Sequence, residues 1–135
     1  MNLDKFFEKS WEDYIKITPS AKKINDLLVK EGEEIVNDHI ALRTFSDEKV
    51  NLEVFCRYFY EHGYERKGDY SFPDKKLLAC HLENREDSSL PKIFISELDL
   101  GAFSSDFQGV VEKILKFVPK GSTFEDLYKE TLPWK

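Results

Sequence analysis

The chain has 135 residues, 41% hydrophobic and 14% aromatic, enough for one domain that buries a core without metal or disulfide staples. Its 26 acidic and 20 basic residues leave a net charge of -6, which argues against nucleic acid as a main partner, since that would want a basic patch. No apolar run approaches the roughly 20 residues of a membrane span, and Met1 to Lys9 is charged and amphipathic; the expectation is a cytoplasmic protein with no membrane partner.

Helical spacing comes first. Leu3, Phe6, Phe7, Trp11, Tyr14 and Ile15 share one face of a helix over residues 3–16. Thr18-Pro19-Ser20 places an N-cap hydroxyl before a proline at the first helical position. The second helix carries Ile24, Leu27 and Leu28 and stops at Gly32, so residues 1–34 form a helical N-terminal segment. The period then changes. Over residues 39–45, His39, Ala41, Arg43 and Phe45 face one way, and Ile40, Leu42 and Thr44 the other. Residues 51–62 return to helix, with Gly63 as the stop. Residues 64–70 read as a short polar strand. Residues 75–83 read as a longer one, with Leu77, Ala79 and His81 against Leu78, Cys80 and Leu82. A polar loop over 83–91 leads to a strand over 92–98, with Ile93, Ile95 and Glu97 on one face. Ser104 caps a helix through Phe117 and Thr123 begins a short last one, giving C-terminal helices over 104–132. Cys56 and Cys80 lack metal or redox spacing and read as free, buried thiols.

The fold class is therefore α+β: one βαβββ module over residues 39–98, flanked by helices. Such a unit makes a curved sheet with a concave face. Two side by side can enclose a pocket, whereas a single one leaves an open edge that wants a partner. The expectation is a homodimer or a missing C-terminal half.

Few residues could carry chemistry. His39 and Arg43 lie on one strand face, about 13 Å apart at about 3.3 Å per residue. Imidazole is a common metal ligand and guanidinium matches a carboxylate with two hydrogen bonds. The plainer alternative is a surface histidine and an arginine paired with a local acid. Glu97 sits among Ile93, Ile95 and Leu98, where an unpaired carboxylate is costly. It reads as a metal ligand, a base or an orienting group for Arg43, or else as a salt-bridged strand end. His81 reads as a further ligand or as a hydrogen-bonded core or edge histidine. His62, at a helix C-terminus, suits the helix dipole and is assigned no chemistry.

The stretch Asn37-Asp-His-Ile-Ala-Leu-Arg-Thr-Phe45 resembles the 2-oxoadipate dioxygenase/decarboxylase family. Thr18-Pro-Ser-Ala-Lys-Lys-Ile24, Leu90-Pro-Lys-Ile-Phe-Ile-Ser-Glu-Leu98 and Leu132-Pro-Trp134 are similar to its pattern too, so the likeness covers nearly the whole chain. That family resembles the vicinal-oxygen-chelate enzymes, built from paired βαβββ modules. The resemblance implies a non-haem Fe(II) enzyme that oxidatively decarboxylates a 2-oxo acid, 2-oxoadipate to 2-hydroxyglutarate. It implies that His39 is one of two histidines that bind iron with a glutamate, and that Arg43 contacts the substrate carboxylate. The second histidine and the glutamate belong to Asn-His and Tyr-Glu-Phe motifs of a second module, and neither motif occurs here. The chain thus resembles an N-terminal half carrying part of the site, expected to be inactive alone. The alternatives are a non-catalytic small-ligand-binding or self-associating module, or an inactive fragment.

Overall fold

The structure, a computed structural model, describes residues 1–34 and 38–129. Asn37, the closing Leu132-Pro-Trp134 stretch and the end of the expected C-terminal helices lie outside the described residues. The chain divides into two compact units, residues 1–37 and 38–135. No helix among the described residues is long and apolar enough to cross a membrane.

The first unit is a pair of helices, α1 (Leu3–Ile17) and α2 (Pro19–Lys30). The Asn2 side chain caps α1 by accepting from the Lys5 amide at 2.9 Å. Pro19 opens α2 as expected, but the Thr18 hydroxyl makes no capping bond. The amide of Ala21, a donor such a cap would use, goes instead to the Thr18 carbonyl. Gly32 ends this unit's helices in the left-handed region, at φ +84°.

The second unit runs β1 (His39–Phe45), α3 (Leu52–Glu61), β2 (Tyr64–Phe72), β3 (Leu77–Asn84), β4 (Lys92–Leu98), α4 (Ser105–Leu115) and α5 (Phe124–Lys129). The sheet order is β1-β4-β3-β2. After β1 the chain crosses through α3 to the far edge and returns by two antiparallel pairings. β4 then lies parallel to β1. This is the βαβββ module read from the sequence. The bounds of β1 and β4 are those expected, while the middle strands move. β2 runs on to Phe72, and β3 starts at Leu77 because Pro73–Lys75 form a 3-10 turn and Lys76 sits at φ +54°. α4 ends at Leu115, two residues short of Phe117.

One face of the sheet is the core. Cys80, Leu82, Ile93 and Ile95 are fully buried there, against Leu52, Cys56 and Phe59 of α3. Each large aliphatic side chain so buried stabilises the fold by about 1.5–3 kcal/mol. A second layer joins α4 and α5 to this face: Val50, Val111, Leu115, Val118 and Leu127 are buried together, with Phe45 and Phe55 packed on them. The Phe124 ring extends it, 4.9 Å from Phe55 and 5.5 Å from Phe59 between centroids. The other face carries no helix of this unit's βαβββ core, and its side chains are described below.

Tyr64 anchors the return loop before β4. Its buried hydroxyl donates to the Pro91 carbonyl at 2.7 Å, and burial, with help from Asp87, pushes the phenol up to about 12. A phenol whose folded pKa lies above its unfolded value stabilises the fold fully below about pH 10. That contribution is lost as pH rises from there through 12. Urea melts followed by circular dichroism should therefore show stability falling between pH 10 and 12. The fall should be smaller in Tyr64→Phe, which itself costs about 1–2 kcal/mol at neutral pH by orphaning the Pro91 carbonyl.

Candidate active site on the open sheet face

The register of the strands decides which side chains meet. Along β1 and β4 the pairs are His39 with Lys92, Ala41 with Phe94, and Arg43 with Ser96. Across β4 and β3, Phe94 pairs with His81 and Ser96 with Ala79. All of these lie on the face opposite α3. His39 and Arg43 thus share the open face, and Ala41 and Phe94 lie between them and His81. A groove of about 420 Å³ there is lined by His39, Ala41, Tyr70, His81, Lys92 and Phe94, among others. A cavity of similar size, about 430 Å³, lies between α3 and residues 121–125 and holds none of the candidate residues.

His39 opens β1 with its side chain well exposed, and its Nδ1 lies 3.0 Å from the Asp38 carboxylate. A carboxylate beside Nδ1 is the kind of partner that favours a proton on that nitrogen and leaves Nε2 for a metal. Arg43 reaches across the strand pair, donating from Nε to the Ser96 hydroxyl at 3.3 Å. Ser96 is itself buried, so this bond steadies the guanidinium base and leaves its terminal nitrogens for a ligand.

Of the two readings of Glu97, its surroundings match the paired strand-end carboxylate, with an amide as the partner in place of a cation. It pairs in register with Thr44 and points to the helical face, away from His39 and Arg43. Its Oε2 accepts the Leu52 amide at 2.8 Å, which satisfies a free N–H at the start of α3 and sets a negative charge at the positive end of that helix. Glu97 is thus placed on the opposite face of the sheet from His39 and Arg43. The costly carboxylate noticed in the sequence is accounted for by this cap.

His81 does lie on the face of His39, but β4 runs between them, and about 12 Å separates their backbones by strand spacing and rise. Its Nδ1 is 2.7 Å from the Tyr70 hydroxyl, and its Nε2 is 3.8 Å from Glu83, which in turn is 3.5 Å from Lys92. Among the described residues no three His, Cys, Asp or Glu side chains are grouped to hold a metal ion. His62 caps α3, with Nδ1 2.7 Å from the Tyr58 carbonyl, and lies apart from the groove.

Tyr70, Lys92 and Ser96 were missed in the sequence. Tyr70 reaches His81 because the β2–β3 register shifts between Arg66 and Gly68, a bulge that no local pattern announces. Gly68 faces His81, and a Cβ there would stand 2.7 Å from the Tyr70 hydroxyl and 2.9 Å from His81 Nδ1. The missing side chain makes room for the pair.

With this geometry in hand, comparison with known proteins is informative. Residues 3–125 match the sequence profile of the 2-oxoadipate dioxygenase/decarboxylase family. The chain belongs to that family. A relative from Arabidopsis thaliana, the chloroplastic 2-oxoadipate dioxygenase/decarboxylase, is 28% identical over 90% of this chain and 36% of its own length. A chloroplastic/amyloplastic counterpart from Oryza sativa is 30% identical over 81% of this chain and 33% of its own. The chain thus spans about a third of the length of these curated relatives. Among solved structures, hydroxyglutarate synthase from Oryza sativa in complex with 2-oxoadipate superposes with a TM-score of 0.76 at 29% identity, covering 84% of this chain and 41% of that one. A Shewanella frigidimarina protein, provisionally described as a hydrolase, superposes at 0.80 and 47% identity, over 87% and 46%. A Ralstonia eutropha protein assigned to the glyoxalase superfamily shares the fold, at 0.67 and 22% identity over 71% of this chain and 32% of that one. The vicinal-oxygen-chelate type of fold expected from the resemblance is therefore the one observed.

Two substitutions test this reading of the face. Gly68→Ala should push Tyr70 off His81, seen as a change in the His81 imidazole resonances, with a stability loss of about 1–3 kcal/mol from overpacking. Glu97→Ala should cost about 1–2 kcal/mol in urea unfolding through the lost cap, and leave any metal affinity of the chain unchanged.

Proposed function

We propose that the chain supplies the first βαβββ module of a non-haem Fe(II) enzyme that oxidatively decarboxylates a 2-oxo acid, 2-oxoadipate to 2-hydroxyglutarate. In this reading His39 is one iron ligand and Arg43 grips a substrate carboxylate. The observation that carries it is the placement of His39 and Arg43 on one open face, in a chain whose family is named for that reaction.

The donor chemistry fits one iron ligand. His39 offers Nε2 while Asp38 occupies Nδ1, and a neutral imidazole of that tautomer suits Fe(II). A facial triad needs two more protein ligands, which no cluster among the described residues provides. In the proposed enzyme they come from chain beyond the described module, as in a fold of paired modules. Bound Fe(II) would supply activation of dioxygen and a chelation point for the 2-oxo acid. The residues of this chain do the rest. Arg43, braced by Ser96, neutralises and orients a carboxylate, and Phe94 with Ala41 forms an apolar floor that keeps water from the bound acid.

A second reading is favoured by the same lack of a three-ligand cluster: a module that binds a small acid, or a second copy of itself, without redox chemistry. The two readings part in a complete enzyme containing this module. There His39→Ala should lose iron and turnover together. Arg43→Lys should keep iron and lose turnover by on the order of 1.5–3 kcal/mol, since lysine cannot offer the planar two-point grip. Oxygen consumption with 2-oxoadipate, beside metal analysis, checks both. Normal turnover in Arg43→Lys would remove the carboxylate grip from the proposal. The isolated chain should bind Fe(II) weakly and show no turnover.

A further inference from the structure

Cys56 on α3 and Cys80 on β3 are the chain's two cysteines, and both are free and fully buried. Their sulfurs lie 3.6 Å apart, across the seam where the helix packs on the sheet. That is thiol-to-thiol contact, and closing to the disulfide length of about 2.05 Å needs a further approach of about 1.5 Å. Side-chain rotation on two adjacent elements covers much of it.

The two thiols are chemically unequal. The hydrogen bond from Cys56 lowers Cys80, and the guanidinium of Arg66 lowers it further against the effect of burial. The same bond, then burial, raises Cys56. One sulfur is thus the readier nucleophile and the other stays protonated beside it, the division of labour of an attacking and a resolving thiol. A cavity of about 300 Å³ is lined by Leu52, Glu53, Arg66, Asp69 and Ala79, among others. Cys56 is one helical turn beyond Leu52, while Cys80 follows Ala79 and pairs with Asp69 in the sheet. The cavity thus lies against residues next to Cys80 in sequence and in the sheet, the side from which a molecule as small as hydrogen peroxide would approach.

We propose that Cys56 and Cys80 are a redox modification site, which hydrogen peroxide converts to an intramolecular disulfide joining α3 to β3. The Cys80 thiolate attacks one peroxide oxygen and the O–O bond breaks. The departing hydroxide takes up a proton as water, leaving Cys80 as a sulfenic acid. The Cys56 sulfur then attacks the Cys80 sulfur, the S–O bond breaks, and the Cys56 proton leaves with the hydroxyl as a second water. Two thiols and one peroxide give one disulfide and two waters, the sulfurs losing the two electrons that the peroxide gains. This site is independent of the proposed catalytic role.

The test uses the folded full chain exposed to excess hydrogen peroxide, quenched, and labelled with N-ethylmaleimide in denaturant before intact mass analysis. The expected product has lost two hydrogens and takes no maleimide, and dithiothreitol restores both labels. Its melting temperature is higher than that of the reduced chain. Cys56→Ser should stop at a sulfenic acid that dimedone traps on Cys80, whereas Cys80→Ser should leave Cys56 unoxidised. Retention of two maleimide labels after native exposure, oxygen adducts on Cys80 in the wild-type chain without a bridge, or a bridge that forms only in denaturant would each overturn the proposal.

Discussion

The parallel pairing of β1 with β4 is the constraint from which the site follows. It sets Arg43 beside Ser96 and Thr44 beside Glu97, and so sorts the charged residues of two strands to opposite faces of the sheet. A slip of β1 by one residue would turn Arg43 into the core and Thr44 onto the open face, because side chains alternate with period two. Such a slip would bury a guanidinium against Ile93 and Ile95 and cost the Val50 carbonyl the bond it accepts from the Thr44 hydroxyl. The hydrophobic pattern of the helical face therefore fixes the register, and the register in turn assigns the chemistry of the other face.

A second constraint acts through β2. Its bulge brings Tyr70 over Gly68 to His81, and the Tyr70 ring also packs against Phe94, 6.0 Å between centroids. One irregularity in an edge strand thereby restrains an imidazole two strands from β1. His81 is held from both sides, by a hydroxyl at one nitrogen and a carboxylate near the other, and these contacts set its place in the groove.

Much of this was legible in the residues. Strict alternation over 39–45 and the apolar stretch Ile93-Phe94-Ile95 within 92–98 mark the two strands, and both begin and end where the pattern says. The shared face of His39 and Arg43 follows from the same alternation. What the pattern could not carry was partnership. Glu97 looked like a chemical group because its cost was visible and its remedy, the Leu52 amide, lies 45 residues away. Tyr70 was invisible because a bulge is a relation between two strands. The ends of β2 and β3 shifted because Pro73 and the left-handed Lys76 impose a turn that a polar alternating stretch conceals. Thr18 had the right residue type for a cap, yet its hydroxyl makes no capping bond.

The closing pair of the sheet also governs how the chain must be made. Arg43 and Ser96 meet across 53 positions, with the helix and both middle strands between them. As synthesis proceeds from the N-terminus, β1 emerges early and can find no strand partner in this sheet until β4 has been translated. Contacts of such high sequence separation are slow to form, and an unpaired strand edge is open to the wrong neighbour meanwhile. The exposed polar character of β1's groove side, with His39 and Arg43 in place of aliphatic residues, keeps that waiting strand from being a two-sided apolar ribbon. The polar side chains of that strand face thus also lower the risk of misassembly on the ribosome.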